Sequence, residues 1–145
     1  MIRGVEFLVP QTAPDILHQV LDCIDVKSFD WEVSERDIDT WGYFYDKLRY
    51  SGEEFAEKIK EPHCIIASKI MAYPVGETED EPMYYENFLR SKCRLVLIMY
   101  DCQYTEIYCK DEEMSKLFFD NAVRRGFDEV IYKTDENDGR TALRT

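Results

Sequence analysis

Five cysteines and two histidines are the thiol and imidazole side chains of this 145-residue sequence, the first places to look for a nucleophile or a sulfur- or nitrogen-bound metal. Cys23, Cys64, Cys93, Cys102 and Cys109 show no CxxC spacing, and His18 and His63 make no HxxxH or HExxH pair. No metal and no cofactor is therefore expected. Cys102 follows Asp101 in the middle of "CRLVLIMYDCQYTEIYCKD", residues 93 to 111. A thiol becomes a nucleophile when a cation or a helix N-terminus lowers its pKa, and a neighbouring carboxylate works the other way. Cys64, Cys93 and Cys109 fall in strand-like runs, where free cysteine behaves as a small buried apolar residue. "TDENDGRT", 134–141, places Asp135 and Asn137 at the first and third positions of a calcium loop. Gly139 then falls at the fifth position rather than the sixth, and no Glu follows at the twelfth, so a polar turn at Asp138–Gly139 is expected instead. No catalytic residue is assigned.

Charge points to a partner class. Thirty acidic against eighteen basic residues leave a net charge of -12. Such a surface repels phosphate backbones and anionic membranes, which excludes nucleic acid and membrane as partners, and it attracts a basic protein. The Gly- and Pro-flanked loop "VGETEDEP" offers Glu79, Asp80 and Glu81 as steering carboxylates, with Tyr84 and Tyr85 beside them as contact residues. The cluster Trp41, Tyr43, Phe44, Tyr45 and Tyr50 is read as core filling. No apolar run approaches the ~20 residues of a membrane span. The N-terminal "MIRGVEFLVP" lacks a cleavage pattern and reads as a strand. A cytoplasmic location with five free thiols is expected.

These residues need elements to position them. Residues 2–9 read as a strand. A helix is expected over 14–24, with Pro14 in its first turn and Ile16, Leu17, Val20, Leu21 and Ile24 on one face. Phe29, Trp31 and Val33 alternate along a second strand, and a third is expected after Gly42. Ser51 and Glu54 have the spacing of a capping box. Residues 63–74 read as a strand, and Pro82 opens a short helix through Leu89. Two strands, 93–100 and 103–110, make a hairpin with a two-residue link, in which Ile98 faces Thr105 and Val96 faces Ile107. The first is apolar on both faces and should be central. Asp111 caps a last helix on which Met114, Leu117, Phe118, Asn121 and Ala122 share a face, Gly126 ends it, and residues 127–134 form the final strand. The fold class is α+β: a single domain, 1–145, with a mixed, mainly antiparallel sheet. Its β-α-β-β-α order is possibly run twice, with a ferredoxin-like unit in 63–133 and a polar C-terminal tail from about 134.

The runs "YENFLRSKCRLVLIMYDCQYTEIYCKDEE" and "NAVRRGFDEVIYKTDENDGRTAL", with "IRGVEFLVP", "DVKSFDWEV" and "IIASKIMAYP", resemble the domain of unknown function 2691 family of Bacillus and related Firmicutes. The resemblance implies a small cytosolic protein and supplies no catalytic residues. The function expected from the residues is a non-enzymatic interaction module docking on a basic protein, for example a toxin-neutralising immunity protein. The alternative is a small-molecule-binding domain of the gyrase-inhibitor-like type.

Overall fold

Strands that are apolar on both faces need cover on both sides, and this chain covers its two faces with different material. The computed structural model describes residues 1–40, 44–77 and 79–145, with the backbone alone for 35–40. The elements are β1 (Ile2–Leu8), α1 (Ile16–Leu21), β2 (Phe29–Thr40), β3 (Arg49–Tyr50), α2 (Gly52–Lys58), β4 (Ile65–Pro74), α3 (Tyr85–Arg90), β5 (Leu95–Tyr100), β6 (Tyr104–Cys109), α4 (Glu112–Arg124) and β7 (Asp128–Thr134). The seven strands form one sheet in the order β3-β2-β4-β5-β6-β1-β7. No helix among the described residues is long and apolar enough to cross a membrane.

The α+β class holds, and β5, buried throughout Leu95–Met99, is central as expected. The sheet, however, is not mixed: among the described residues every pairing is antiparallel. Nor do 63–133 close a ferredoxin-like unit, although its element order is present. β4, β5 and β6 are direct neighbours, and β7 joins only through β1, which lies between it and β6. β6 and β7 thus run parallel with β1 between them, and α4 makes the crossover that parallel strands require. The strand expected after Gly42 is confined, among described residues, to Arg49–Tyr50; Trp41 and Tyr43 lie outside the described residues.

The first face carries α1, α2 and α4 over a core that includes Phe7, Leu17, Leu21, Trp31, Phe55, Ile70, Leu97, Ile107 and Phe118. Trp31 stacks on Phe55 at 4.8 Å between ring centres. The capping box is present: Ser51 Oγ accepts from the Glu54 amide at 3.2 Å, and Glu54 accepts from the Ser51 amide at 2.9 Å. Asp111 caps α4 by accepting from the Met114 amide at 2.7 Å. Gly126 ends that helix at φ +77°, a left-handed conformation that glycine adopts without strain. Leu117, placed on the buried face by its spacing, is instead half exposed.

The hairpin register differs from expectation by one residue. Tyr100 pairs with Tyr104, Ile98 with Glu106, Val96 with Tyr108 and Leu97 with Ile107. The Gln103 amide donates to the Tyr100 carbonyl at 3.3 Å around Asp101 and Cys102, both left-handed, and Gln103 is one residue more than a two-residue link contains. The stacked pair Tyr100–Tyr104, 5.2 Å between ring centres and 10° between planes, fixes this register. A one-residue slip moves every side chain to the other face, and the observed register puts Glu106 among the residues opposite the helices. Cys93 and Cys109 are buried, but Cys64, expected in the core, precedes β4 and is exposed.

α1 is shorter than the periodicity suggests because its start is capped from a distance. His63 Nε2 accepts from the Leu17 amide at 3.0 Å, and Nδ1 lies 2.6 Å from the Glu61 carbonyl, so the neutral ring carries its proton on Nδ1. The Pro14 carbonyl accepts from the His63 amide at 2.9 Å, leaving Pro14 outside the helix. Burial lowers the His63 pKa, against a smaller raising effect of the Glu61 carbonyl. A lowered pKa means that the unfolded chain binds more protons than the folded one between the two values. The His63 contribution is therefore complete above the ordinary histidine value and is lost as pH falls through the folded-state pKa. His63→Ala should cost about 1–3 kcal/mol in urea unfolding at pH 8, and the gap between variant and parent should narrow at pH 5.

Candidate functional site

Opposite the helices the sheet has a second face, built from the alternate residues of each strand. Met71, Tyr73, Val96, Ile98 and Tyr108 form its apolar centre, closed by Phe88 of α3 and by Leu143. The segment after β7, polar in sequence, is packed here. The Tyr85 amide donates to the Thr141 carbonyl at 2.7 Å, and the Leu143 amide to the Met83 carbonyl at 2.9 Å, so residues 135–145 and α3 form one cover. Leu143 is fully buried.

Charges flank this centre on both sides. Towards β2, the buried Lys69 ammonium donates to Glu81 at 2.8 Å and to the Pro82 carbonyl at 2.7 Å, and Ser34 Oγ donates to Glu81 at 2.8 Å. Pro82 thus anchors a lysine and does not open α3. Towards β7, the Lys133 ammonium donates to Glu106 at 2.6 Å and Glu6 at 2.9 Å and lies 3.4 Å from Asp138. Lys133 and the Glu106 side chain are 5% and 7% exposed, so this is a buried pair. Asp138 also accepts from the Tyr108 hydroxyl at 2.9 Å, and Glu106 from Arg140 at 2.7 Å. Burial lowers the Lys133 pKa, but the Glu106 and Glu6 hydrogen bonds outweigh it and hold the ammonium protonated. Burial, then Glu106 and Asp138, push the Tyr108 hydroxyl well up, so it stays a donor. An added Cβ on Gly4 would lie 1.8 Å from the Ile107 carbonyl oxygen; this close approach accompanies the β1 irregularity that brings Arg3 to Asp135 at 2.9 Å and over the Tyr85 ring at 4.2 Å.

The cover stops short of the sheet's end. Beyond Arg140 a recess of about 370 Å³ opens on β1, β6 and β7, floored by Leu8 and Ile131 and walled by Tyr100, Tyr104, Glu6, Glu106 and Glu129. Among the described residues no basic side chain is in its wall, although Lys133 engages Glu6 and Glu106, and Arg140 engages Glu106. Glu6 pairs with Ile131 and Leu8 with Asp128, so Phe7 faces two residues, Glu129 and Val130, in a bulge. Glu129 holds the left-handed position (φ +53°) that such bulges reserve for glycine.

The loop residues singled out in the sequence divide into two groups. Asp80 and Tyr84 are exposed and free to meet a partner. Glu79 accepts from the Lys92 amide at 2.9 Å, Glu81 is engaged by Lys69 and Ser34, and Tyr85 lies beneath Arg3. The recess residues carry no motif; their one sequence signal is alternation along β1 and β6, legible only once the hairpin register is known. All five cysteines are free, and burial pushes Cys23, Cys93 and Cys109 up to about 12, far from thiolate at neutral pH. Among the described residues no group of three or more His, Cys, Asp or Glu side chains is placed to hold a metal ion.

A family model described as "Protein of unknown function (DUF2691)" matches residues 2–144. The "Uncharacterized protein YncE" of Bacillus subtilis (strain 168) is 31% identical over 151 residues, covering 99% of each chain. No solved structure matches.

Removing one member of a buried ion pair strands the other charge and costs about 3–5 kcal/mol. Lys133→Met should lose that much in urea unfolding. Lys133→Met with Glu106→Gln should recover part of it, giving a positive coupling in the double-mutant cycle.

Proposed function

Since this chain belongs to the DUF2691 family, whose description assigns no activity, we propose from its own chemistry that it is a non-enzymatic interaction module docking on a basic protein. The observation that carries this reading is the recess on the second face: two stacked tyrosines and three glutamates, with no basic side chain in the wall. The exposed Tyr104 supplies short-range contact area, and Glu129, together with the net negative charge of the chain, supplies long-range attraction, Glu6 and Glu106 being engaged by Lys133 and Arg140. Asp80 and Tyr84 stand outside the recess, Asp80 beside Glu79, Glu81 and Arg90 and Tyr84 beside Arg3 and Arg140, and are further exposed contact candidates. A toxin-neutralising role is one concrete form of this reading, because nuclease toxins are basic where they meet nucleic acid. The small-molecule alternative gains no support from an open recess on a continuous sheet, since a ligand site of the gyrase-inhibitor-like type lies between two halves.

Steering acts over the Debye length, about 30 Å at 0.01 M salt and about 8 Å at 0.15 M. With the partner captured by pull-down from the source cell, association should slow as salt rises between these limits, while dissociation changes less. Asp80→Ser should slow association, and Tyr84→Ala should speed dissociation. An acidic partner, or association indifferent to salt, contradicts the reading.

A further inference from the structure

We propose that the recess beside Tyr104 receives a single arginine side chain of the partner; this assignment rests on the docking reading above and names the group that docks. The second face shows the chemistry it recognises, because its tyrosines are paired with the chain's own cations. Arg49 lies 5.9 Å from the Tyr73 ring centre and donates to Glu32 at 2.8 Å. Arg3 lies 4.2 Å from the Tyr85 ring centre and donates to Asp135 at 2.9 Å. Lys133 lies 5.4 Å from Tyr108 and donates to Glu106 and Glu6. Each site is the same composite of a ring, a carboxylate and a cation.

In the recess Glu6 and Glu106 are already engaged by Lys133 and Arg140, and the composite is left open at one carboxylate, Glu129, beside the Tyr100–Tyr104 stack. Tyr104 is 40% exposed and stacked on Tyr100, so one flat π-face is held rigid and open. The Glu129 side chain is exposed and makes no ion pair or hydrogen bond among the described residues. Leu8 and Ile131 floor the space with apolar surface suited to the methylenes of a long cationic side chain. Guanidinium is favoured over ammonium for a physical reason: it is planar, weakly hydrated and stacks on aromatic faces while donating in its own plane to carboxylates. Of these three composites, the two arginines stand at partly open sites and the lysine at the closed one: Arg49 and Arg3 are 32% and 18% exposed, Lys133 5%.

The test uses the full chain and N-acetyl-arginine amide as probe, followed by NMR. The methyl signals of Leu8 and Ile131 and the ring signals of Tyr100 and Tyr104 should shift saturably. The uncharged citrulline analogue should leave them unmoved, and the lysine analogue should bind more weakly than arginine. Glu129→Gln and Tyr104→Ala should each weaken arginine binding about two- to fivefold, the scale of one exposed ion pair or one cation–π contact. Glu129→Gly, whose backbone suits the left-handed position, separates binding from folding: its thermal midpoint should be unchanged or higher while arginine binding falls. Equal shifts from arginine and citrulline, equal affinity for lysine, or shifts confined to the Glu79–Asp80 loop overturn the assignment. If the arginine probe fails while the captured partner still associates in a salt-dependent way, the recess is wrong and the docking reading stands. If the partner is acidic while the probe still binds the recess, the docking reading is the one that fails.

Discussion

The Lys133 ammonium is the constraint from which the second face is built. An ammonium buried on a sheet must be surrounded by acceptors, because an unpaired charge there costs several kcal/mol. Glu106, Glu6 and Asp138 supply them from β6, β1 and the segment after β7. Meeting that demand fixes much else. Asp138 can reach Lys133 only if the C-terminal segment folds back over the sheet, which brings Arg140 to Glu106 and Leu143 into the apolar centre. Glu106 can reach it only in the observed hairpin register, since the expected one would send that carboxylate into the helix-covered core.

That dependence explains what the sequence could and could not disclose. The capping box at Ser51, the Asp111 cap, the Gly126 stop and the central β5 are local signals, and each is where its pattern places it. The hairpin register was not legible, because it turns on one extra residue and on the Tyr100–Tyr104 stack rather than on apolar alternation. The segment 135–145 reads as a tail because its residues are polar; its order comes from partners thirty or more residues away, such as Glu106 and Tyr108. Glu81 and Tyr85 read as free contact residues for the same reason, since Lys69 and Arg3, which engage them, lie in other strands. The position of β1 between β6 and β7 is a long-range choice that no motif marks.

The two faces divide the work of the fold. The helix-covered face supplies the apolar core, with Trp31, Phe55, Leu97 and Phe118 buried in it. The second face surrounds a smaller apolar centre, with Tyr73, Phe88 and Tyr108 fully buried in it, with charge and tyrosine. With thirty acidic residues against eighteen basic ones, the molecule carries a net negative charge, which in the proposed docking reading would draw a basic partner towards it. The recess at the uncovered end of the second face is where that attraction meets a shaped, aromatic surface.

The central claim is that partner recognition belongs to the second face and not to the helices. Hydrogen exchange of the full chain, alone and bound to the partner captured from the source cell, tests it most directly. Protection on binding should appear in residues 6–8, 100–106 and 129–131, with α1, α2 and the exposed side of α4 unchanged. Protection concentrated on those helices, with the recess strands unaffected, would contradict the account.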